Sequence, residues 1–307
     1  MAVLIDQPRW PAHGTRFAHL VSDASLEELH RFAASHGVAL RAFDHDHYDV
    51  SEARWHDLVA GGARPVEPQY LLRALRGAGL RVRTPDRTPK RAQVLPDLRR
   101  AWAGLVPGQQ ALGEDLLRRW SEPHRAYHDV RHLAQALLAA GRLAGDSPPA
   151  AVSLALWFHD AVHDGEAGGD EQASADLAVS ALDAAGAPRR LGAEVRRLVL
   201  LTAGHRTETA DAAGGLVCDA DLSVLGHPPA RYQVYLRDVR QEYSEVPDTE
   251  FRVGRGRVVA GLAARPRLFH GEAAFEWWEA PARANLAAED TFWEARGGGR
   301  GLRSGVS

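Results

Sequence analysis

Four short stretches of this chain set histidine and aspartate among apolar neighbours. The first is Tyr127-His128-Asp129-Val130-Arg131-His132, in which His128 and His132 stand four apart and would share one face of a helix. The second is Trp157-Phe158-His159-Asp160, at the end of the apolar run Leu154-Ala155-Leu156. The third is His205, which follows the apolar segment 198–203. The fourth is Cys218-Asp219-Ala220-Asp221-Leu222. Taken singly, each has a plain reading as a hydrogen-bonded core or capping residue. Taken together, they carry polar groups that are costly to bury unless something pairs them. A divalent cation would satisfy all four, because neutral imidazoles and carboxylates are N and O donors suited to Mn, Fe, Co, Ni, Zn or Mg. About four protein ligands would leave a position for water, whose pKa the ion would lower. The spacing leaves Asp219 and Asp221 both open as the last ligand.

The remaining composition removes other chemistries. The 307 residues carry Lys+Arg 37 against Asp+Glu 40, a net charge of −3, so no bulk basic surface for nucleic acid is expected. Lys90 is the single lysine and follows Pro89, which excludes a G-K-[ST] phosphate loop. Substrate phosphate would therefore fall to arginine, a bidentate donor. Arg131, Arg206, Arg252 and Arg255 stand near the candidate motifs. The lone Cys218 excludes disulfide frameworks and Cys-rich zinc sites. Neither G-x-S-x-G nor G-x-G-x-x-G occurs. No apolar run is long enough to span a bilayer and the N-terminus has no signal-peptide pattern, so a cytoplasmic protein is expected.

The elements that must position these residues follow from periodicity. An α+β two-domain chain is expected: a small α/β domain over 1–83, a linker over 84–95, a helical domain over 96–295 and a disordered tail over 296–307. In the first domain we expect strands at 2–5, 38–43 and 80–83. Helices are expected from an Asp23 or Ser25 cap to Ser35, at 51–59 and at 68–77. In the second domain we expect helices near 97–120, 129–144, 148–164, 170–185, 189–205, 230–244, 248–264 and 273–295. Pro and Gly fall near many of their ends.

The order His132, His159-Asp160, Asp221 resembles the H…HD…D pattern of the HD superfamily of metal-dependent phosphohydrolases. YHDVRHL, LWFHDAVHD, GDEQASA, LLTAGH, CDADLSVLG and GRGRVV are similar to a bacterial group of predicted members, over roughly 96–290. The resemblance implies an all-α HD-type bundle with His132, His159, Asp160 and Asp221 as metal ligands, its register favouring Asp221 over Asp219. It implies a small-molecule phosphoester substrate, a nucleotide or a relative of one. His128 matches the first histidine of Y-H-x-x-x-H in cyclic-nucleotide phosphodiesterases, which implies a proton donor. Glu171 would position water or act as base, and His205 and His163 would serve a second metal or phosphate. Two other outcomes stay open: a nucleotide-sensing module without turnover, and a di-iron HD-type oxygenase using His205 and His163.

The first domain resembles a small bacterial family known only as a domain of unknown function, through LIDQPRWPAHG, HLVSD, SLEELHRFA and FDHDHYDV. Asp6, His13, His19, Asp23, Asp44, His45, Asp46, His47 and Asp49 are expected in loops after the strands. Structural turns and caps are the preferred reading for them, with a second metal or phosphate site as the alternative.

Overall fold

The computed structural model describes residues 1–84, 87–145, 147–164 and 169–297. A small α/β region comes first: β1 (Val3–Ile5), β2 (Trp10–Ala12), β3 (Thr15–Ser22), α1 (Leu26–Ser35), β4 (Phe43–Asp44), β5 (His47–Ser51), α2 (Glu52–Ala60), β6 (Arg64–Pro65) and α3 (Pro68–Gly77). The chain is then mostly helical, with α4 (Arg91–Leu105), α5 (Gln110–Arg119), α6 (Val130–Ala144), α7 (Ala150–Phe158), α8 (Gly169–Ala184) and α9 (Arg189–Leu201). After these come α10 (Ala212–Asp221), α11 (Pro229–Glu242) and α12 (Asp248–Ala263), then Glu272–Ala274, a π turn at Phe275–Glu279 and a helix at Ala280–Gly297. No helix among the described residues is long and apolar enough to cross a membrane.

Two compact units emerge, and neither is a continuous stretch of chain. One contains Met1–Arg87, Pro228–Val259 and the described residues from Ala284 on; the other contains Thr88–His227 and Ala260–Arg283. The division expected from the sequence assigned residues 96–295 to one helical domain. Helical periodicity reveals a buried face but not which neighbour covers it.

In the first unit the sheet order is β4-β5-β3-β1-β6, with β2 paired to β3. β1 runs antiparallel to β3 and parallel to β6, and β3 runs antiparallel to β5. Leu4 and Val21 pack on Leu71 and Leu75 of α3. Ser25 caps α1 by accepting the Glu28 N–H at 3.1 Å, and Gly37 stops it at φ +66°. α11 packs on β4 and on the 3-10 turn Leu40–Ala42. His30 of α1 lies 3.0 Å from Gln233 Oε1 and edge-on to Phe292, so the late helices complete the first unit's core.

Several expected elements differ. Val38, Leu40 and Phe43 are buried, yet the segment 38–43 forms a 3-10 turn and only the start of β4. The segment 80–83 is not a strand: Val82 donates its N–H to the Asp46 carboxylate at 2.8 Å rather than to a neighbouring strand. β2 and β3 were not expected at all. They form a hairpin around His13 and Gly14, whose φ values of 48° and 76° are those a two-residue turn requires. The linker is shorter than expected, because Lys90 N–H donates to Gln93 Oε1 and Val94, Leu98 and Trp102 bury one stripe of α4. The helix expected over 97–120 is broken at Pro107-Gly108, where Gly108 adopts φ +84°. The last helix runs to Gly297, past the expected tail start, and the rest of that tail lies outside the described residues.

The core of the second unit is α7, buried from Val152 to Phe158. It touches α4, α6, α8, α9 and α10. Trp120 donates its indole N–H to Trp157 O at 2.9 Å. Trp102 lies edge-on to Trp157, against Gly113, where a Cβ would run into the indole.

Candidate metal centre

Three helix ends of the second unit converge. Asp129 caps α6 by accepting the Arg131 N–H at 2.7 Å, which places His132 in the first turn. His159 is the C-cap of α7 and Asp160 follows it. Asp221 closes α10, a helix capped by Asp211 and not expected from the sequence, since Gly214 and Gly215 lower its propensity. Gly215 is tolerated because the His270 side chain lies close against it.

The donor atoms meet tightly. His132 Nε2 lies 3.1 Å from His159 Nε2 and 2.9 Å from Asp221 Oδ1. His159 Nε2 lies 3.2 Å from Asp160 Oδ2 and 3.4 Å from Asp221 Oδ1. Asp160 Oδ2 is 3.8 Å from His132 Nε2. Donors around one ion with bonds of 2.0–2.1 Å stand about 3.0 Å apart in an octahedron and about 3.4 Å apart in a tetrahedron. The observed separations straddle those values.

The rings are also oriented. His159 Nδ1 donates to Leu156 O at 2.9 Å, and His132 Nδ1 lies 3.1 Å from the Tyr127 hydroxyl. With those protons on Nδ1, both Nε2 atoms present lone pairs to each other and to two carboxylates. Such a set needs a cation at its centre, either a metal ion or a proton. Without an ion, burial disfavours the His159 imidazolium, but Asp160 and Asp221 outweigh it and raise its pKa well above the usual value. Burial alone would raise Asp160 and Asp221; the neighbouring imidazoles instead hold both below the usual carboxylate range.

Asp221 also reaches His205, whose Nε2 lies 2.7 Å from Oδ2. His205 has φ +47°, a left-handed conformation costly for a residue with a Cβ. Arg265 donates to its carbonyl oxygen. Asp219, the rival to Asp221, faces away and accepts the N–H groups of His270 and Gly271 at 2.7 Å each. Two residues along a helix is about 200° of rotation, so the pair cannot serve one site. Burial raises the Asp219 pKa and pushes the Cys218 thiol up to about 12.

Other candidates lie elsewhere. His128 precedes the α6 cap, so it does not share a helix face with His132; their rings are still 5.7 Å apart and perpendicular. The His163 ring lies 4.3 Å from that of His128, tilted by 42°, and its Nδ1 lies 3.8 Å from Asp170 Oδ2. Glu171 sits in the first turn of α8 and is not among the residues that converge with His132. Arg131 is spent on Asp129 and on Ala126 O. Arg255 belongs to the first unit, where it grips the buried Glu289 with bonds of 2.6 and 3.0 Å; a buried pair cannot serve as an open phosphate contact. Arg252 also lies in the first unit. Arg206 is exposed and lines a cleft with Arg197, Thr207 and Asp211.

The sequence reading missed Arg125. It is fully buried and donates to Asp160 O (2.6 Å), His128 O (3.2 Å) and Glu122 Oε2 (3.0 Å), tying the loop before α6 to the His159-Asp160 turn. An isolated arginine between Pro123 and Asp129 carries no motif that would reveal this.

Residues 3–78 match the family described as Protein of unknown function (DUF4031), so the small domain at the N-terminus is a DUF4031 domain. No curated protein and no solved structure matches the chain.

Proposed function

We propose that the second unit is a metal-dependent phosphohydrolase of the HD type, acting on a nucleotide or related phosphoester. The observation that carries this reading is the convergence of His132, His159 and Asp221, drawn from three helix ends, with Asp160 beside His159 and His132. Two carboxylates and two neutral imidazoles balance a divalent charge and provide a donor set that fits Mn, Fe, Co, Ni, Zn or Mg. A bound ion supplies Lewis-acid stabilisation of phosphoryl oxygens and a water of lowered pKa. The protein's own contribution is orientation: Leu156 O and Tyr127 hold the two imidazoles, and Arg125 holds the backbone of Asp160. His128, beside His132 and His163, holds a proton for the leaving oxygen.

The test is a phosphoester screen of the full chain with Mn, Co, Ni and Mg. His159→Ala and Asp160→Ala are expected to lower turnover by at least about a hundredfold, since each removes a donor to the ion. A metal-loaded protein inert toward every phosphoester overturns the reading. If it nevertheless binds nucleotides tightly, it is a sensing module. A second reading is favoured by one observation: the two oxygens of Asp221 face different imidazoles, His132 and His205, as a carboxylate bridging two ions would. Two iron atoms per chain with redox-dependent colour would establish a di-iron oxygenase instead.

A further inference from the structure

The sheet of the first unit holds a second convergence, built wholly from the DUF4031 domain. β3 and β5 pair so that His19 stands opposite Asp49 and Leu20 opposite Tyr48. Side chains alternate across a strand, so Leu20, Tyr48 and Val50 enter the core while His19, His47 and Asp49 share the other face. These residues were expected in loops; they belong to paired strands, and their spacing is set by the register.

Each imidazole is held from behind by a buried carboxylate. His19 Nδ1 lies 2.9 Å from Asp6 Oδ2, and Asp6 Oδ1 accepts the His19 N–H at 2.7 Å. His47 Nδ1 lies 2.7 Å from Asp46 Oδ1, while Asp46 Oδ2 accepts from Arg81 and from the Val82 N–H. Both carboxylates are almost completely buried and fully engaged. Since a carboxylate accepts, each ring donates from Nδ1 and turns Nε2 outward. This carboxylate–imidazole arrangement is the one that orients histidine ligands of metals.

His19, His47 and Asp49 each offer one ligand atom, and the three atoms lie within 4.8 Å of one another. Asp49 Oδ1 is 3.4 Å from His47 Nε2 and 3.9 Å from His19 Nε2. The edge of a tetrahedron around zinc is about 3.4 Å. A proton on His47 would join that ring to Asp49, but His19 Nε2 is beyond hydrogen-bond reach of the same oxygen. An ion between them would engage all three at once. His19 is 28% and Asp49 47% exposed, so solvent reaches the point they share.

We propose that His19, His47 and Asp49 bind a divalent first-row transition ion of the zinc class, with at least one coordination position open to an incoming oxygen or nitrogen donor. Three protein ligands with an open position characterise reactive rather than purely structural zinc sites. Trp10, half exposed with its ring 5.5 Å from that of His19, forms a wall beside the open side.

Zinc alone is the probe. The full chain, stripped with chelator, is titrated with Zn²⁺ by calorimetry, and circular dichroism checks the fold of each variant. Asp49→Asn and His19→Ala are each expected to weaken one zinc equivalent at least tenfold. His159→Ala should affect a different equivalent, so failure here and failure of the phosphohydrolase reading remain distinguishable. Asp49→Asn changes a half-exposed side chain and keeps the test usable if His19→Ala misfolds. Asp6→Asn should weaken the same equivalent by about 10–100-fold through loss of orientation. The proposal is overturned if zinc stoichiometry and affinity are unchanged in folded Asp49→Asn, or if the only zinc bound is lost in His159→Ala.

Discussion

Asp221 acts through both of its oxygens, one toward His132 and His159, the other toward His205. Asp221→Asn is therefore expected to weaken metal binding more than His205→Ala. For the latter, about a tenfold loss is expected, as for the removal of a partner that orients a ligand. Metal titrations of the two variants check the order, and equal losses would contradict it. Cys218 allows a simpler check. Burial foremost, with Asp221 and Asp219 nearby, keeps it a thiol up to about pH 12. Iodoacetamide at pH 8 should label it only after denaturation; labelling of the native chain at a free-thiol rate would show that the residue is accessible. Asp46 carries a pH dependence. Burial opposes its charge, but His47, the Val82 N–H and Arg81 outweigh it and hold its pKa below 3.8. A depressed carboxylate stabilises the fold above its unfolded value and loses that contribution as pH falls through the folded value. Asp46→Asn should cost about 1.5–3 kcal/mol at pH 7, typical of hydrogen bonds to a charged group. The gap to the parent chain should narrow below about pH 4 in denaturant melts followed by circular dichroism.

At the level of elements, each candidate ligand of the helical unit sits at a helix terminus, and the termini are held by residues outside the donor set. Arg125 is the foremost of these. Removing it strands the carbonyl oxygens of Asp160 and His128 in a buried setting. Arg125→Met is expected to cost about 3–5 kcal/mol, as for a buried charge network that loses one partner. It should also weaken metal binding, because the His159-Asp160 turn loses its anchor. Urea unfolding midpoints and a metal titration check both effects; a stable Arg125→Met protein with unchanged affinity would refute the anchoring role. Much of this architecture was open to reading in the sequence. α1, α2, α3, α6 and α9 follow amphipathic stripes with caps or Pro and Gly at their ends, and they lie close to where periodicity placed them. The candidate donors were legible for a related reason, since polar side chains stood out in apolar segments. α10 was hidden by its glycines, and β3 by its mixture of polar and apolar residues. The hairpin turn at His13-Gly14, flanked by Trp10 and Phe17, was the available sign of β2 and β3.

At the scale of the whole molecule, the DUF4031 domain occupies the first quarter of the chain, but its unit does not end there. α11 and the helix around Phe292 supply side chains against His30 and the turn before β4. A fragment of residues 1–87 therefore leaves part of that core uncovered. Each kilocalorie lost lowers the melting midpoint of a domain this size by about 4–8 °C. The fragment should melt well below the same sheet in the full chain, as read by hydrogen exchange at β3. Equal protection in the two would mean that the late helices contribute nothing to it.

Local chemistry decided a good deal before any folding partner was known. The lone lysine and lone cysteine removed whole reaction classes, and the 3.6-residue stripes set most helices. The four patches of histidine and aspartate in apolar segments offered candidate donors that periodicity alone could not bring together. Tertiary structure decided which carboxylate of the 219/221 pair turns inward, because that depends on what packs against each face of α10. It also withdrew Arg131 and Arg255 by giving them buried partners, and set His19, His47 and Asp49, expected in loops, on one face of a sheet. The reason is the same in each case. A residue's type and spacing set what it can bind, while the neighbour it meets is set by chain segments tens or hundreds of positions away.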